Sequence, residues 1–302
     1  MEYSFSKINS HKVEQLNWFD LFIKCFGPRP LLDDKWYFWH NTSYKHNNTY
    51  VVKLQNKIVA SYSLYPITVK YKNVKKDGYL CHNVMTDPDH GGRGLFTQLG
   101  KYAISCTPSE SILIGVPNEN AIRGHMKVGW SEYSKIPFYI KNNFENHTIE
   151  DVEEIQSFSF SKKQIEKFNE SYDFCVVKDA DYLNWRYINR PNIKYDCYKL
   201  SDDSGFIVLK RYEEKLHIID YGFNNYESFT KLLKFTENKA KEINSEIIEF
   251  WCYSINDQDI LKNLGFKQSE TLGNRLILLA NPEIKIDATD NFKIVLGDND
   301  VF

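Results

Sequence analysis

A glycine-rich turn between a predicted strand and a predicted helix constrains this chain more than any other feature. The segment from Val84 to Thr97 reads VMTDPDHGGRGLFT. The apolar residues before it fit a strand, and those after it follow a helical period. Glycines let the backbone turn so that successive N–H groups point inward, and the start of a helix adds a partial positive charge. The segment therefore predicts an anion-binding site, and a diphosphate is the ligand that suits such a site best.

Two common phosphate-binding patterns do not occur in this segment. It contains neither the GxxxxGK[ST] of a P-loop nor the GxGxxG spacing of a dinucleotide fold. A plain glycine turn with no ligand is the structural alternative, because such turns are common between strands and helices. The segment alone leaves both interpretations open.

Strands and helices are predicted along the whole chain around this turn. Helices are predicted over 12–26, 95–103, 119–127, 178–188, 229–240 and 257–264, with another around Trp36, Phe38 and Trp39. Strands are predicted at 50–54, 58–62, 67–71, 79–86, 112–116, 197–200, 205–210, 216–221, 247–252 and 276–279. The acidic tail, 282–302, is expected to be loosely held.

The two halves of the chain repeat one order of elements. A strand, a turn, a helix, an apolar strand and a short helix lead to Gly129 in the first half and to Gly265 in the second. A polar stretch at 142–165 separates them. We therefore predict an α/β protein of two related units in tandem, 1–145 and 146–302, with a mixed central sheet flanked by helices. Chance similarity between two such stretches is the alternative.

In this context the glycine-rich turn resembles the pyrophosphate loop of the GCN5-related N-acetyltransferase (GNAT) superfamily. That loop reads Arg/Gln-x-x-Gly-x-Gly/Ala, and the segment from Gly91 to Phe96 aligns with it without gaps. Gly94 keeps the central glycine. Gly91 replaces the usual Arg or Gln, and Phe96 replaces the second small residue, so the Phe96 ring must point away from the phosphates.

A second block is similar to the same family. The family often reads Asn-x-x-Ala-x-x-x-Tyr-x-x-x-Gly-Phe after the next strand, and the corresponding places here hold Asn118, Ala121, His125, Gly129 and Trp130. The C-terminal half is similar in architecture alone and has no second glycine-rich loop. We therefore predict that it is a degenerate copy without its own coenzyme.

The resemblance implies an α+β fold of the GNAT type and acetyl-CoA as co-substrate, with no metal. Two central strands would splay apart, and the pantetheine arm of the coenzyme would pair with them. A backbone N–H near Val84 or Met85 would stabilise the oxyanion of the tetrahedral intermediate. The residues expected to contact the coenzyme are Val84, Met85, Thr86, Gly91, Gly92, Arg93, Gly94, Leu95, Phe96, Thr97 and Asn118.

Two histidines are candidates for proton transfer. His125 stands where the family often has a Tyr that protonates the leaving thiol, and an imidazole has a pKa near neutrality. His82 lies on a strand whose alternation places Leu80, His82, Val84 and Thr86 on one face, so it could relay the proton of the amine through water. The structural alternatives are a surface histidine for His125 and a hydrogen-bonded core histidine for His82.

Aromatic side chains elsewhere are weaker candidates for acceptor binding. The family's acceptor-covering helices correspond to the segment that holds Trp36, Tyr37, Phe38 and Trp39. Trp185 and Arg186 could reach a sugar or a phosphate from the second unit. Packing within a helix layer, or between the two units, is the structural alternative for both groups.

By resemblance, the expected activity is an acyl-CoA-dependent N-acyltransferase acting on a small-molecule amine. Similarity to GNAT proteins found with surface-polysaccharide genes suggests an amino sugar as acceptor. An aminoacyltransferase of the FemABX type also pairs two GNAT-like units, but it uses aminoacyl-tRNA, and this chain has no basic stripe. A non-catalytic protein that binds or senses coenzyme A is the third alternative.

Composition argues against several other classes of protein. The net charge of −2 favours neither nucleic acid nor an anionic membrane as a partner. The chain lacks an apolar run long enough to span a membrane, and its first residues do not resemble a secretion signal. The 6 cysteines form no CxxC pair, which fits a reducing cytoplasm. The sequence is compatible with a homodimer.

Overall fold

The computed structural model describes residues 2–9, 11–28, 48–270, 275–279, 287 and 290–299. The predicted aromatic helix and its four candidate acceptor residues, Trp36 to Trp39, lie outside these ranges. The strands are β1 (Ser4–Lys7), β2 (Asn48–Leu54), β3 (Lys57–Tyr71), β4 (Val74–Thr86), β5 (Ile112–Gly115), β6 (Ser131–Lys135), β7 (Phe138–Lys141), β8 (Val152–Glu154), β9 (Phe174–Val177), β10 (Asp196–Leu200), β11 (Gly205–Tyr212), β12 (Lys215–Phe223), β13 (Ile247–Trp251), β14 (Lys267–Gln268), β15 (Arg275–Leu279) and β16 (Phe292–Lys293).

The helices confirm most of the predicted ones. They are α1 (Lys12–Phe26), α2 (Leu95–Ser105), α3 (Glu119–Val128), α4 (Lys162–Phe168), α5 (Ala180–Leu183), α6 (Tyr226–Glu242) and α7 (Ile255–Asn263). The helix predicted at 178–188 is shorter, because α5 passes into a π-helical turn at Asn184–Ile188. Among the described residues, no helix has the length and apolar character needed to cross a membrane.

Two mixed sheets form the framework, as the α/β prediction requires. Within the described ranges, the first sheet has nine strands along the path β1-β2-β3-β4-β5-β15-β6, with β9 attached to β3 and β16 attached to β9. The second sheet follows the order β14-β7-β13-β12-β11-β10-β8. Each sheet contains a parallel pair joined through a helix, β4 with β5 and β12 with β13. This shared arrangement supports the predicted relation between the two halves.

The two halves exchange strands. Strand β7, from the first half, pairs with β13 and β14 in the second sheet. Strand β15, from the second half, lies between β5 and β6 in the first sheet. The division into 1–145 and 146–302 stays a prediction, and the exchange shows that strands are shared across the proposed boundary.

Strand β3 is one continuous strand where the sequence predicts two. Pro66 lies near its middle, opposite Tyr79 of β4. On the other side of β3, pairing with β2 ends at Leu64, and pairing with β9 begins at Thr68. Pro66 therefore falls in the gap between two partner strands, where its missing N–H removes no ladder hydrogen bond.

Helices cover both faces of the first sheet near the glycine-rich turn. Leu95 and Leu99 of α2 are buried with Val128 of α3 in a cluster that includes Tyr62 and Leu64 of β3. Helix α1 belongs to a separate cluster with strands β2, β3 and β4. The cluster around α2 and α3 places the first turn of α2 at the end of β4.

The prediction of a loosely held tail is wrong for residues 290–299. Phe292 and Leu296 are fully buried, and Ile294 and Val295 are nearly so. Strand β16 pairs in parallel with β9. The acidic composition of 282–302 hides a short apolar run that provides enough buried surface to hold this part of the tail against the core.

Candidate functional site

A cleft opens where β4 and β5 stop pairing. Their parallel pairing runs from Gly78 opposite Ile112 to Cys81 opposite Gly115. Strand β4 continues to Thr86, whereas β5 ends at Gly115. Within the described residues, the β5 side of β4 therefore has no strand partner beyond Cys81. Such an edge offers backbone groups to an extended ligand.

A β-bulge lies in the part of β4 that borders this cleft. His82 pairs with Ser63 and Met85 pairs with Ser61, so Asn83 and Val84 together oppose Tyr62. Asn83 has a φ of 50°, in the left-handed region that asparagine tolerates better than most residues. The bulge reorients the backbone amides of this short stretch.

The bulge overturns the predicted face alternation of β4. Because it adds one residue, Met85 follows His82 on one face of the sheet, and Val84 turns to the opposite face. The packing agrees, since Val84 packs on the cluster beneath α2 and α3 while Met85 is buried against α1. Thr86, next to Met85, also lies on the opposite face from His82.

The glycine-rich turn has the backbone conformation that its sequence predicts. Gly92 and Gly94 have φ values of 73° and 74°, which side chains with a Cβ rarely adopt. Residues Gly91 to Gly94 are exposed to solvent. Helix α2 begins directly after Gly94, with no side-chain cap on its first turn.

Six consecutive amides of this turn are available to a ligand. Among the described residues, the N–H groups from Gly92 to Thr97 donate to no backbone or side-chain acceptor, and the next one, of Gln98, bonds the carbonyl of Gly94 at 3.0 Å. Leu95, Phe96 and Thr97 form the first turn of α2, where unpaired amides and the helix dipole favour an anion. The predicted coenzyme-contacting residues of the turn are thus brought together at one end of the cleft.

Arg93 lies within the turn, and its side chain is held by Tyr3, which directly precedes the edge strand β1. Its Nη1 donates to the Tyr3 hydroxyl at 2.8 Å, and that hydroxyl lies 2.9 Å from Nδ1 of His90. The guanidinium stays exposed, so it adds positive charge near the open amides.

The Phe96 ring packs between helices rather than over the turn. A Cβ built on Gly124 of α3 would lie 2.6 Å from Cε1 of Phe96, so the ring lies directly against the helix backbone. It also meets the His125 ring edge-on, with centroids 5.1 Å apart. This position agrees with the expectation that the ring points away from the phosphates.

Asn118 starts helix α3 as its N-cap. Its Oδ1 accepts a hydrogen bond from the amide of Ala121 at 3.0 Å. The side chain is exposed near the end of β5, so a capping role and a contact with a ligand in the cleft are compatible.

His125 is enclosed in an aromatic cage, and this changes its expected chemistry. The residue is 3% exposed, and the rings packed around it are those of Phe96, Tyr62 and Trp130. Burial lowers the pKa of His125 to about 4, so the side chain is neutral at pH 7. The surface alternative and the assumed pKa near neutrality are both wrong.

The cage contains a hydrogen-bond chain that sequence reasoning missed. Trp130 Nε1 donates to the Tyr62 hydroxyl at 2.9 Å, and that hydroxyl lies 3.1 Å from His125 Nδ1. Tyr62 sits 63 positions before His125, and no local pattern relates the two residues.

His82 lies on the other face of the sheet. It is half-buried, its Nδ1 lies 3.1 Å from Nδ2 of Asn83, and its ring lies 6.0 Å from that of Tyr65. Tyr65 is stacked on Trp185, with centroids 4.7 Å apart. His82 and His125 are therefore separated by the sheet, and Trp185 is a buried contact between the two halves.

Arg186 is also buried in a structural position. Its guanidinium donates to the carbonyls of Gly297 and Asn299 at 3.3 Å and 2.7 Å. These bonds tie the π-helical turn to the C-terminal segment. In the described part of the chain, no group of three or more His, Cys, Asp or Glu side chains could hold a metal ion.

Comparison with known proteins gives one matching family model and several structures of similar fold. Residues 6–131 match the family model described as an acetyltransferase (GNAT) domain. A GCN5-related N-acetyltransferase from Anabaena variabilis has a similar structure, with a TM-score of 0.70 and 13% identity over 93% of this chain and 74% of that chain. No curated protein sequence matches this one.

Two further structures extend the similarity. A GCN5-related N-acetyltransferase from Kribbella flavida gives a TM-score of 0.64 at 13% identity, covering 92% of this chain and 71% of that chain. The N-myristoyltransferase of Saccharomyces cerevisiae, solved with bound myristoyl-CoA, gives 0.60 at 11% identity, covering 96% and 88%. At these identities the similarity concerns the fold alone, and it extends over both halves of this chain.

Proposed function

We propose that this chain, whose residues 6–131 match the model of a GNAT acetyltransferase domain, transfers an acetyl group from acetyl-CoA to a small amine. The observation that carries this proposal is the run of six amides from Gly92 to Thr97 that have no acceptor among the described residues, next to a strand edge that has no partner among them. The two features lie in the order that a coenzyme needs, with the diphosphate at the turn and the thioester further along the cleft.

The diphosphate of the coenzyme would bind the amides of the turn. Backbone N–H groups at a helix start donate to phosphate oxygens without needing a specific side chain. Replacement of the usual Arg or Gln by Gly91 therefore removes no essential donor. Arg93 adds a cation beside the same turn.

The pantetheine arm would lie along β4 beyond Cys81. Its amide groups would pair with the unpartnered edge as another strand would. The bulge at Asn83 and Val84 turns the backbone there, and one of its amides would stabilise the oxyanion of the thioester carbonyl. This is the region in which Val84 and Met85 were expected to act.

The amine acceptor would approach from the face of the sheet that holds His82. An amine must be neutral to attack the thioester carbon, and His82, half-buried beside Asn83, could pass its proton to water. The acceptor is a small-molecule amine in this proposal, and an amino sugar is the first candidate.

Calorimetric titration tests the donor site. Acetyl-CoA is expected to bind, and S-acetylpantetheine, which lacks the diphosphate, should bind at least tenfold more weakly because it leaves the amides of the turn unpaired. Equal affinity for the two compounds would contradict the assignment of the turn.

Thiol release from acetyl-CoA tests the reaction. A panel of amino sugars, polyamines and amino acids should contain at least one amine that releases coenzyme A and gains an acetyl group by mass spectrometry. Binding of acetyl-CoA with no release for any amine would favour the non-catalytic coenzyme-binding alternative.

A further inference from the structure

We infer that His125 acts as a neutral hydrogen-bond donor to the leaving thiolate, and that Tyr62 and Trp130 are positioning residues that hold the proton of its imidazole on Nε2. The inference rests on the proposed acyl transfer, since it names the group that meets the sulfur. It differs from the acid role that the sequence predicts, because no proton leaves the imidazole.

The hydrogen-bond chain from Trp130 through Tyr62 determines which ring nitrogen of His125 carries the proton. An indole N–H can only donate, so Trp130 occupies a lone pair of the Tyr62 hydroxyl, 2.9 Å away. The hydroxyl proton of Tyr62 is then free to point to His125 Nδ1, 3.1 Å away. The Cys81 thiol is also close to Tyr62, but sulfur accepts hydrogen bonds weakly compared with an imidazole nitrogen. Nδ1 is therefore the acceptor, and the ring proton lies on Nε2.

The second nitrogen of His125 remains available for a ligand. Nε2 makes no hydrogen bond within the described residues, and it is not closed off from solvent. The helix that carries it, α3, follows directly on the chain from β5, which borders the cleft. The ring nitrogen that Tyr62 does not hold is thus the one left to donate to a ligand.

Nothing charged in the described surroundings supports an imidazolium. The aromatic rings that contact His125 are those of Phe96 in α2, Tyr62 in β3 and Trp130, which directly precedes β6. Burial alone lowers the pKa of His125 to about 4, and burial also holds the pKa of Tyr62 well above its usual value. Both groups stay neutral throughout the neutral pH range.

The chemistry balances without an acid. The nitrogen lone pair of the neutral amine forms a bond to the thioester carbon, and the collapse of the tetrahedral intermediate breaks the C–S bond. The electron pair of that bond goes to sulfur, where the Nε2–H of His125 stabilises the thiolate. The proton lost by nitrogen passes to water, and the thiolate is protonated from water after it leaves.

Nitrogen-15 NMR of the histidine side chains tests the tautomer in the free protein. The His125 signals, assigned by their loss in His125→Gln, are expected to show protonated Nε2 and bare Nδ1 from pH 8 down to pH 5. A protonated Nδ1, or an imidazolium at pH 7, would overturn the inference whether or not the protein transfers acetyl groups.

Variants test the role in the reaction. Tyr62→Phe keeps the ring but removes the hydroxyl, so kcat should fall about tenfold to a hundredfold while the Kd for acetyl-CoA stays within twofold. His125→Gln keeps an N–H donor and should retain more activity than His125→Ala. Equal kcat for Tyr62→Phe and the unchanged protein, or equal kcat for the Gln and Ala variants, would refute the inference.

The pH profile separates the two roles of His125. A neutral donor leaves kcat without a falling limb between pH 6 and 8, whereas an imidazolium acid would lose activity as it deprotonates. If the unchanged protein turns over and shows such a limb that disappears in His125→Gln, the inference fails and the proposed function stands. Failure of every amine with acetyl-CoA would instead refute the proposed function.

Discussion

Both halves of the molecule contain a parallel strand pair joined through a helix, but the start of that helix differs between them. In the first half, β4 and β5 separate after Cys81, and the chain turns through exposed glycines into an uncapped helix. In the second half, β12 and β13 pair in parallel up to His217, and β12 then continues to Phe223. The same divergence of strands is therefore present twice.

In the second half, side chains cap and pack against the helix start, whereas the corresponding helix start in the first half is open. Asn225 caps helix α6 by accepting a hydrogen bond from the Ser228 amide at 2.9 Å. Phe229, in the first turn of α6, stacks on Tyr221 and Phe223, with centroids 4.9 Å and 4.6 Å apart, and all three rings are buried. The comparison teaches that strand topology creates the cleft, whereas glycines and a missing cap decide whether it can take a phosphate. That the second half is a degenerate copy without its own coenzyme stays a prediction.

The largest expected effect comes from closing the open turn. Gly94→Glu should raise the Kd for acetyl-CoA by more than a hundredfold, because it places a carboxylate beside the diphosphate and forces a φ of 74° on a residue with a Cβ. Calorimetry measures the change. Gly94→Gln has the same shape and the same backbone strain, so the difference between the two variants isolates the charge.

The matched change in the second half should leave the coenzyme unaffected. Asn225→Asp adds a negative charge at the corresponding helix start and keeps the capping oxygen. Its Kd for acetyl-CoA should equal that of the unchanged protein. A Kd for Gly94→Glu within threefold of the Gly94→Gln value would mean that the diphosphate binds elsewhere.

A smaller effect is expected from two glycines that each lie against a phenylalanine. A Cβ at Gly124 would meet the Phe96 ring at 2.6 Å, and one at Gly222 would press on the Phe206 ring. We expect Gly124→Ala and Gly222→Ala each to lower the free energy of unfolding by about 1–3 kcal/mol, measured with urea. Only Gly124→Ala should also weaken acetyl-CoA binding, because Phe96 lies in the helix turn that offers its amides.

A second substitution checks the cause of the Gly124 effect. Adding Phe96→Leu to Gly124→Ala gives the new methyl group room and should recover part of both losses. Equal acetyl-CoA binding by Gly124→Ala and the unchanged protein would show that the position of Phe96 is unrelated to the turn.

The sequence predicts the features that depend on local chemistry. Gly92 and Gly94 stand where the backbone takes a positive φ, and Asn118 stands where helix α3 needs a cap. The turn, helix α2 and helix α3 could therefore be located from the sequence. The same local reasoning predicts α1, which ends before Gly27 as expected. These features need no knowledge of distant contacts.

Features that depend on distant contacts were not predictable. The bulge at Asn83 arises from pairing with β3, and a lone asparagine within a strand is a weak signal for it. The low pKa of His125 comes from its burial, and the rings packed around it, Phe96, Tyr62 and Trp130, are brought together by the fold from other elements. The strand exchange of β7 and β15 likewise has no local signature, since each segment reads as an ordinary strand.

The smallest expected effect concerns the cap that distinguishes the two helix starts. Asn225→Ala removes the acceptor for the Ser228 amide and should lower the free energy of unfolding by about 1 kcal/mol in urea denaturation. The stoichiometry of acetyl-CoA binding should stay at one, because the stacked and buried rings of Tyr221, Phe223 and Phe229 still pack at this helix start. A second binding event in this variant would show that the cap alone, and not the aromatic filling, keeps the second half free of coenzyme.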